Sequence, residues 1–183
     1  MSDLKARASE IQSKLLQGGR GITKYSEEEM ELLEFELGRF SVGQQDWGHL
    51  KEMLFLLDHS STTDRRFEPG LLQLLKRHEL EPDLLIFILN VSRKHIITAR
   101  FKDGQRLDFP FLEALQKLIY HPDPEVVEWV LRTIEECGTQ GVYFLKDLDK
   151  IKPPVFKLFN KHYRAIREII AMLERRWRAF ETR

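Results

Sequence analysis

The chain has 183 residues, 42% of them hydrophobic, and its 29 Lys and Arg balance 29 Asp and Glu to a formal net charge of zero. That length and apolar content support one compact core burying roughly 70% of the unfolded surface, with no metal or disulfide staple required. A lone cysteine, Cys137, rules out an intrachain disulfide and fits a reducing compartment. The N-terminal stretch lacks a signal-like apolar run, and no uncharged stretch approaches the ~20 residues of a membrane span, so the expectation is a single cytoplasmic domain with no membrane partner.

The neutral total hides a gradient. Residues 1–59 carry −4, 60–139 carry −2 and 140–183 carry +6, counting Lys and Arg against Asp and Glu. A basic end is either a solvated surface or an electrostatic footprint for an acidic partner.

Leu4, Ala8, Ile11 and Leu15 recur at helical spacing and draw one apolar stripe on a first helix. The glycines at 18, 19 and 21 lack the Gly-Lys-Ser/Thr ending of a phosphate loop and read as a helix stop and hinge, which makes 1–21 an N-terminal helical arm. Ser26 followed by Glu27, Glu28 and Glu29 predicts a capped helix start, with Ser26 and Glu29 forming a capping box. Met30, Leu33, Phe35, Leu37 and Phe40 carry this helix to about 42, and a second opens between Gln44 and Trp47 and runs through Leu50, Leu54 and Leu57.

The middle of the chain repeats itself. Residues 69–94 and 110–136 share a helix–turn–helix pattern displaced by 41 or 42 positions: Pro69 answers Pro110, Leu71 answers Leu112, and Leu74 answers Leu115. After the turn, Pro82 answers Pro124, and Phe87, Ile88 and Leu89 answer Trp129, Val130 and Leu131. With the first pair starting near 27, the interval of about 40 residues occurs twice, which is the period of two-helix repeats that bury their faces only by stacking.

Between the two clear copies, residues 96–109 alternate like a strand around Asp103-Gly104, predicting a small β-hairpin with Phe101 facing Leu107. The alternative is that the preceding helix runs on to Arg100 and a loop follows.

His121-Pro122-Asp123-Pro124-Glu125-Val126-Val127 resembles the entry to the second helix of HEAT-like repeats, where an Asp and a Pro stop one helix and start the next. The chain departs from that pattern at Val127, where many such repeats carry an Arg that ladders with a neighbouring Asp. The resemblance implies an all-α solenoid of three to four helical pairs across 26–151, presenting a surface to another protein. The second helix of each pair would line its concave side, which points to Arg93, Lys94, Glu128, Arg132 and Glu135 as partner-binding residues. It also implies an alternative, since some HEAT-like proteins are DNA-repair glycosylases that cradle duplex DNA.

Residues 153–181 predict the longest helix, with Pro153 and Pro154 in its first turn. Phe159, Tyr163, Ile166, Ile170, Leu173, Trp177 and Phe180 form a near-heptad seam, suited either to capping the preceding pairs or to a second chain in a homodimer. Its outer face carries Lys157, Lys161, Arg164, Arg175 and Arg178, a basic stripe that would contact phosphates if the ligand is nucleic acid. The six histidines are scattered, Asp147 and Asp149 stand two apart and so cannot share a helix face, and Cys137 precedes Gly138 at a helix end where the dipole opposes thiolate formation. The expectation is accordingly a non-enzyme without metal or cofactor.

Overall fold

The computed structural model describes residues 2–19, 21–41, 46–157 and 159–181. It is all-α: no strand occurs among the described residues beyond an isolated bridge between Thr23 and Ser60. The helices are α1 (Ser2–Leu16), α2 (Glu27–Ser41), α3 (Trp47–Asp58), α4 (Glu68–Leu75), α5 (Pro82–Ser92), α6 (Ala99–Lys102), α7 (Phe109–Leu118), α8 (Pro124–Glu136), α9 (Leu145–Ile151) and α10 (Lys161–Glu181).

Their neighbours fall into two rows. In one row α2 packs on α4 and α4 on α7; in the other, α1 packs on α3, α3 on α5, α5 on α8 and α8 on α10. Each short connection joins a member of the first row to one of the second, so α2 meets α3, α4 meets α5 and α7 meets α8. One apolar cluster, running from Leu4 to Trp177, lies between the rows.

Local chemistry explains the element ends. Ser26 Oγ accepts from the Glu29 amide at 3.2 Å while a Glu29 carboxylate oxygen accepts from the Ser26 amide at 2.7 Å, completing the capping box. The same carboxylate receives Arg7 Nε at 3.0 Å, tying α1 to the start of α2. Asp46 caps α3 by accepting from the His49 amide, and Asp123 caps α8 by accepting from the amides of Glu125 and Val126.

The first helix is not a detached arm. Leu4, Ala8 and Ile11 are buried against α3, because that stripe completes the row that α3 would otherwise end. Gly18 stops the helix at φ +74°, with the Gly18 amide donating to Leu15 and the Gly19 amide to Lys14, a Schellman ending.

The β-hairpin predicted for 96–109 does not form. The chain continues from α5 through a π-helical segment, Arg93–Thr98, directly into α6. Asp103-Gly104 ends that helix: Gly104 has φ +66°, its amide donates to Phe101, and the Gln105 amide donates to Arg100. A Schellman ending and a tight hairpin both demand a residue at positive φ, so the same dipeptide signals either.

The π segment turns Lys94 and His95 towards the C-terminus of α3. Lys94 Nζ donates to the carbonyls of Leu57 (3.2 Å), Asp58 (2.6 Å) and Ser60. His95 is fully buried; its Nε2 donates to the Leu57 carbonyl at 3.0 Å and its Nδ1 accepts from the Asp64 amide at 3.1 Å. These donors satisfy carbonyls that a helix end leaves open and sit at its negative pole.

The C-terminal helix starts later than its prolines suggest. Pro153 and Pro154 precede a 3-10 turn, Val155–Lys157, and α10 begins only at Lys161, where Asn160 caps it by accepting from the His162 amide at 2.8 Å. Pro153 disfavours helical backbone at Lys152, whose ψ of 116° ends α9 and separates it from this stretch. Of the predicted seam, Ile166, Ile170, Leu173 and Trp177 are buried inside the chain where α10 packs on α8 and its neighbours, Tyr163 is half-buried, and Phe159 lies outside the helix at 93% exposure. The Phe180 side chain falls outside the described residues. Each fully buried seam residue is worth about 1.5–3 kcal/mol relative to an exposed one.

Trp177 packs against Gly141, where an added Cβ would overlap the indole ring. Gly141→Ala is therefore expected to destabilise the fold by about 1–3 kcal/mol through overpacking, measured as a lower urea midpoint at unchanged slope.

Burial holds the His95 ring below the usual histidine range, so the folded state keeps it neutral while the unfolded chain takes up a proton near about pH 6.5. Stability is then full above that value and falls as the pH drops through it. His78, also held low by burial and by Lys117, adds in the same direction. Urea midpoints from about pH 7.5 to 5.5 should fall for the native chain and flatten progressively in His95→Gln and in the double variant with His78→Gln.

A candidate interaction groove between α2 and α4

The helix stripe of α2 has one member out of phase. Met30, Leu33, Leu37 and Phe40 follow steps of three and four and are buried, whereas Phe35 falls on the opposite side and is 65% exposed. Phe35 lies on the wall of an open groove of about 920 Å³ between α2 and the start of α4, whose lining also includes Arg65, Arg66, Arg100 and Asp108.

Two glycines shape it. A Cβ at Gly70 would lie 3.0 Å from the Leu37 side chain, so glycine there permits the close approach of α4 to α2. Gly38 faces open space with no atom within 4 Å of an added Cβ, and its missing side chain leaves the groove unfilled.

The polar lining is an ion network. Arg100 is 6% exposed and donates from Nε and Nη2 to Glu68 at 2.6–3.0 Å, and from Nη1 to Asp108 at 2.8 Å and to the Arg106 carbonyl at 3.0 Å. Glu68, at 8% exposure, has taken a buried carboxylate into the fold on the strength of that partner. Arg66 reaches Glu27 at 2.6 Å and Asp64 at 2.8 Å, and Arg65 donates to Gln105 at 2.6 Å. With Glu31, Glu34 and Arg39, the lining carries four carboxylates and four guanidiniums. Such a surface is neutral in sum and alternates in sign, which suits a polypeptide with mixed side chains better than a polyanion.

The residues expected from the sequence to bind a partner lie elsewhere, each bonded within the chain. Arg93 pairs with Glu136, and Lys94 caps α3. Arg132 bonds Glu128 at 2.7 Å, whose second oxygen meets His162 Nδ1 at 2.9 Å. Burial opposes ionisation of Glu128, but its bonds to Arg132 and His162 outweigh burial and hold it below the usual carboxylate range. Glu135 meets Arg176 at 3.3 Å, a second tie between α8 and α10. On the outer face of α10, Lys161, Arg164 and Arg175 are exposed; the Arg178 side chain falls outside the described residues.

Other titratable groups serve packing. The Cys137 thiol is buried, donates to the Thr133 carbonyl and is pushed up to about 12 by burial and by Glu136, so it is an inert core residue. Burial would raise the Asp147 carboxyl, yet bonds from Tyr120 (2.6 Å), Gln116 (2.7 Å) and Lys150 (3.3 Å) hold it below its ordinary range. Tyr120 rises to about 12 through burial and that bond. Among the described residues, no group of three or more His, Cys, Asp or Glu is arranged to hold a metal ion, and no helix is long and apolar enough to cross a membrane.

Comparison with protein-family models, curated proteins and solved structures finds no match. Any reading of function thus rests on the geometry.

Sequence reasoning counted Phe35 with the apolar residues of its helix and assigned no role to Gly38, Gly70 or Arg100. Phe35 had a signal, since it breaks the phase of its own helix; Arg100 had none, because its partners lie 32 residues before and 8 after it.

Arg100→Ala strips the buried Glu68 of its hydrogen-bonded counter-charge, leaving Arg65 Nε at 3.6 Å, and is expected to cost about 3–5 kcal/mol in urea denaturation. Pairing Arg100→Met with Glu68→Leu should recover most of that loss, because an apolar pair needs no desolvation of charge.

Proposed function

We propose that the chain is a HEAT-like helical-repeat protein, an α-solenoid of three pairs, α2–α3, α4–α5 and α7–α8, flanked by α1 and α10. Two observations support this. The first helices of the pairs begin at residues 27, 68 and 109, an interval of 41 each time, and the neighbour order runs first helix on first helix and second on second.

On this reading the protein is a non-catalytic interaction module of the cytosol, and its docking surface is the α2–α4 groove, which accepts a segment of another protein. The exposed Phe35 beside alternating charges carries the proposal, since an aromatic anchor ringed by polar groups is the usual composition of a binding hot spot. A second reading, polyanion binding along Lys161, Arg164 and Arg175, draws on their exposure on one helix; the excess of acid over base in residues 1–139 works against it.

A photo-crosslinking residue in place of Phe35 tests the first reading in cells that make the protein. The expected result is a discrete protein adduct that disappears when Gly38→Trp fills the groove and that survives Lys161→Glu with Arg175→Glu. An adduct indifferent to Gly38→Trp, or nucleic-acid binding that is lost on the α10 reversals and falls steeply with salt, would overturn it in favour of the second.

A further inference from the structure

Between α9 and α10 the chain presents apolar side chains that the described residues leave exposed to solvent. Val155, Phe156 and Phe159 are 69, 73 and 93% exposed, the densest such grouping among the described residues. They do not line the α2–α4 groove, and the helix seam that Phe159 would have begun is occupied only from Tyr163 onward.

The tip is held in place. Pro153 is buried, the Lys157 amide closes a turn on the Pro154 carbonyl at 3.0 Å, and Asn160 both accepts from the His162 amide and receives the Arg164 amide on its carbonyl. Exposure of two aromatics is thus a property of the folded chain.

The sequence of this segment is basic, although Asp147, Glu174, Glu125 and Glu128 pair with Lys150, Lys152 and His162. From Lys150 to Arg167 the sequence contains six Lys and Arg and no Asp or Glu. Lys150 and Lys152 lean back on Asp147 and Glu174, Lys157 stands 5.1 Å from the Tyr163 ring, and Lys161 is exposed beside the tip.

We propose that this tip docks on an anionic lipid surface, with Val155, Phe156 and Phe159 entering the headgroup boundary and Lys157 and Lys161 facing the acidic headgroups. An exposed apolar point needs no complementary pocket to enter a bilayer interface, and aromatic rings are favoured there. The few apolar groups give only weak binding alone, so the lysines supply the second signal that stable attachment requires. Single-stranded nucleic acid is the less suited occupant, since it stacks bases on ring faces along a groove, and Val155 has no ring to offer. The absence of a membrane-spanning helix among the described residues does not bear on surface attachment.

The test is flotation of the full chain with vesicles of pure phosphatidylcholine and with vesicles containing about 30% phosphatidylserine. Binding is expected only to the second, weakening with salt. Phe156→Ser with Phe159→Ser should abolish it, and Lys157→Glu with Lys161→Glu should weaken it about tenfold or more. Because these side chains are exposed, both variants should keep the native helical circular dichroism and melting temperature. Failure to float with anionic vesicles, flotation unaffected by loss of the two aromatics, or equally tight binding of oligo(dT) lost in the same variants would each overturn the proposal.

Discussion

The helical run from Pro82 to Lys102 is the constraint on which the arrangement depends, because its polar groups are bonded to three different neighbours at once. Arg93 reaches α8 through Glu136, Lys94 and His95 close the open carbonyls of α3, and Arg100 holds Glu68 of α4 together with Asp108 before α7. The π segment makes this possible: i→i+5 bonding re-aims the side chains that follow, so that Lys94 and His95 point at one neighbour and Arg100 at another. Both rows of helices are thereby fixed relative to one stem. The stem itself is apolar in its first half, where Leu84, Leu85, Ile88 and Leu89 are buried.

Polar and apolar closure divide the labour between the two ends. At the N-terminal end α1 adds Leu4, Ala8 and Ile11 to the core and is oriented by the Arg7–Glu29 pair, which doubles as part of the α2 capping box. At the C-terminal end α10 covers α8 with Ile166, Ile170, Leu173 and Trp177, and the Trp177 ring fits only because residue 141 lacks a side chain. Each cap presents one apolar stripe inward and a charged face outward. Rows of paired helices need such ends, since an uncovered terminal pair would leave an apolar face in water.

The two surfaces left over are chemically unlike. The α2–α4 groove is concave, balanced in charge and built on packed helices, features that fit selective recognition of a polypeptide. The tip at Val155, Phe156 and Phe159 is exposed and lies in a basic stretch, which fits an extended acidic surface with no shape of its own.

Much of the fold was legible from residue order. The capping box at Ser26, the Asp123-Pro124 helix start, the glycine stop at 18 and the phase of the buried stripes depend on neighbours three or four positions away, and sequence reports such relations directly. The hairpin expectation failed where local signals are degenerate, because Asp103-Gly104 satisfies the positive φ of a helix ending as well as that of a β-turn. The same reason hid the sites. Arg93, Lys94, Glu128, Arg132 and Glu135 read as free charges until tertiary packing supplied Glu136, the α3 carbonyls, His162 and Arg176; Phe159 read as a seam residue until Asn160 started the helix after it. Outside 96–109 and the start of α10, residue order by itself determined which segments are helical and which faces are apolar, since those follow from backbone periodicity. Only the tertiary structure decided which charges are consumed and which apolar groups remain in water, because that depends on partners tens of residues away.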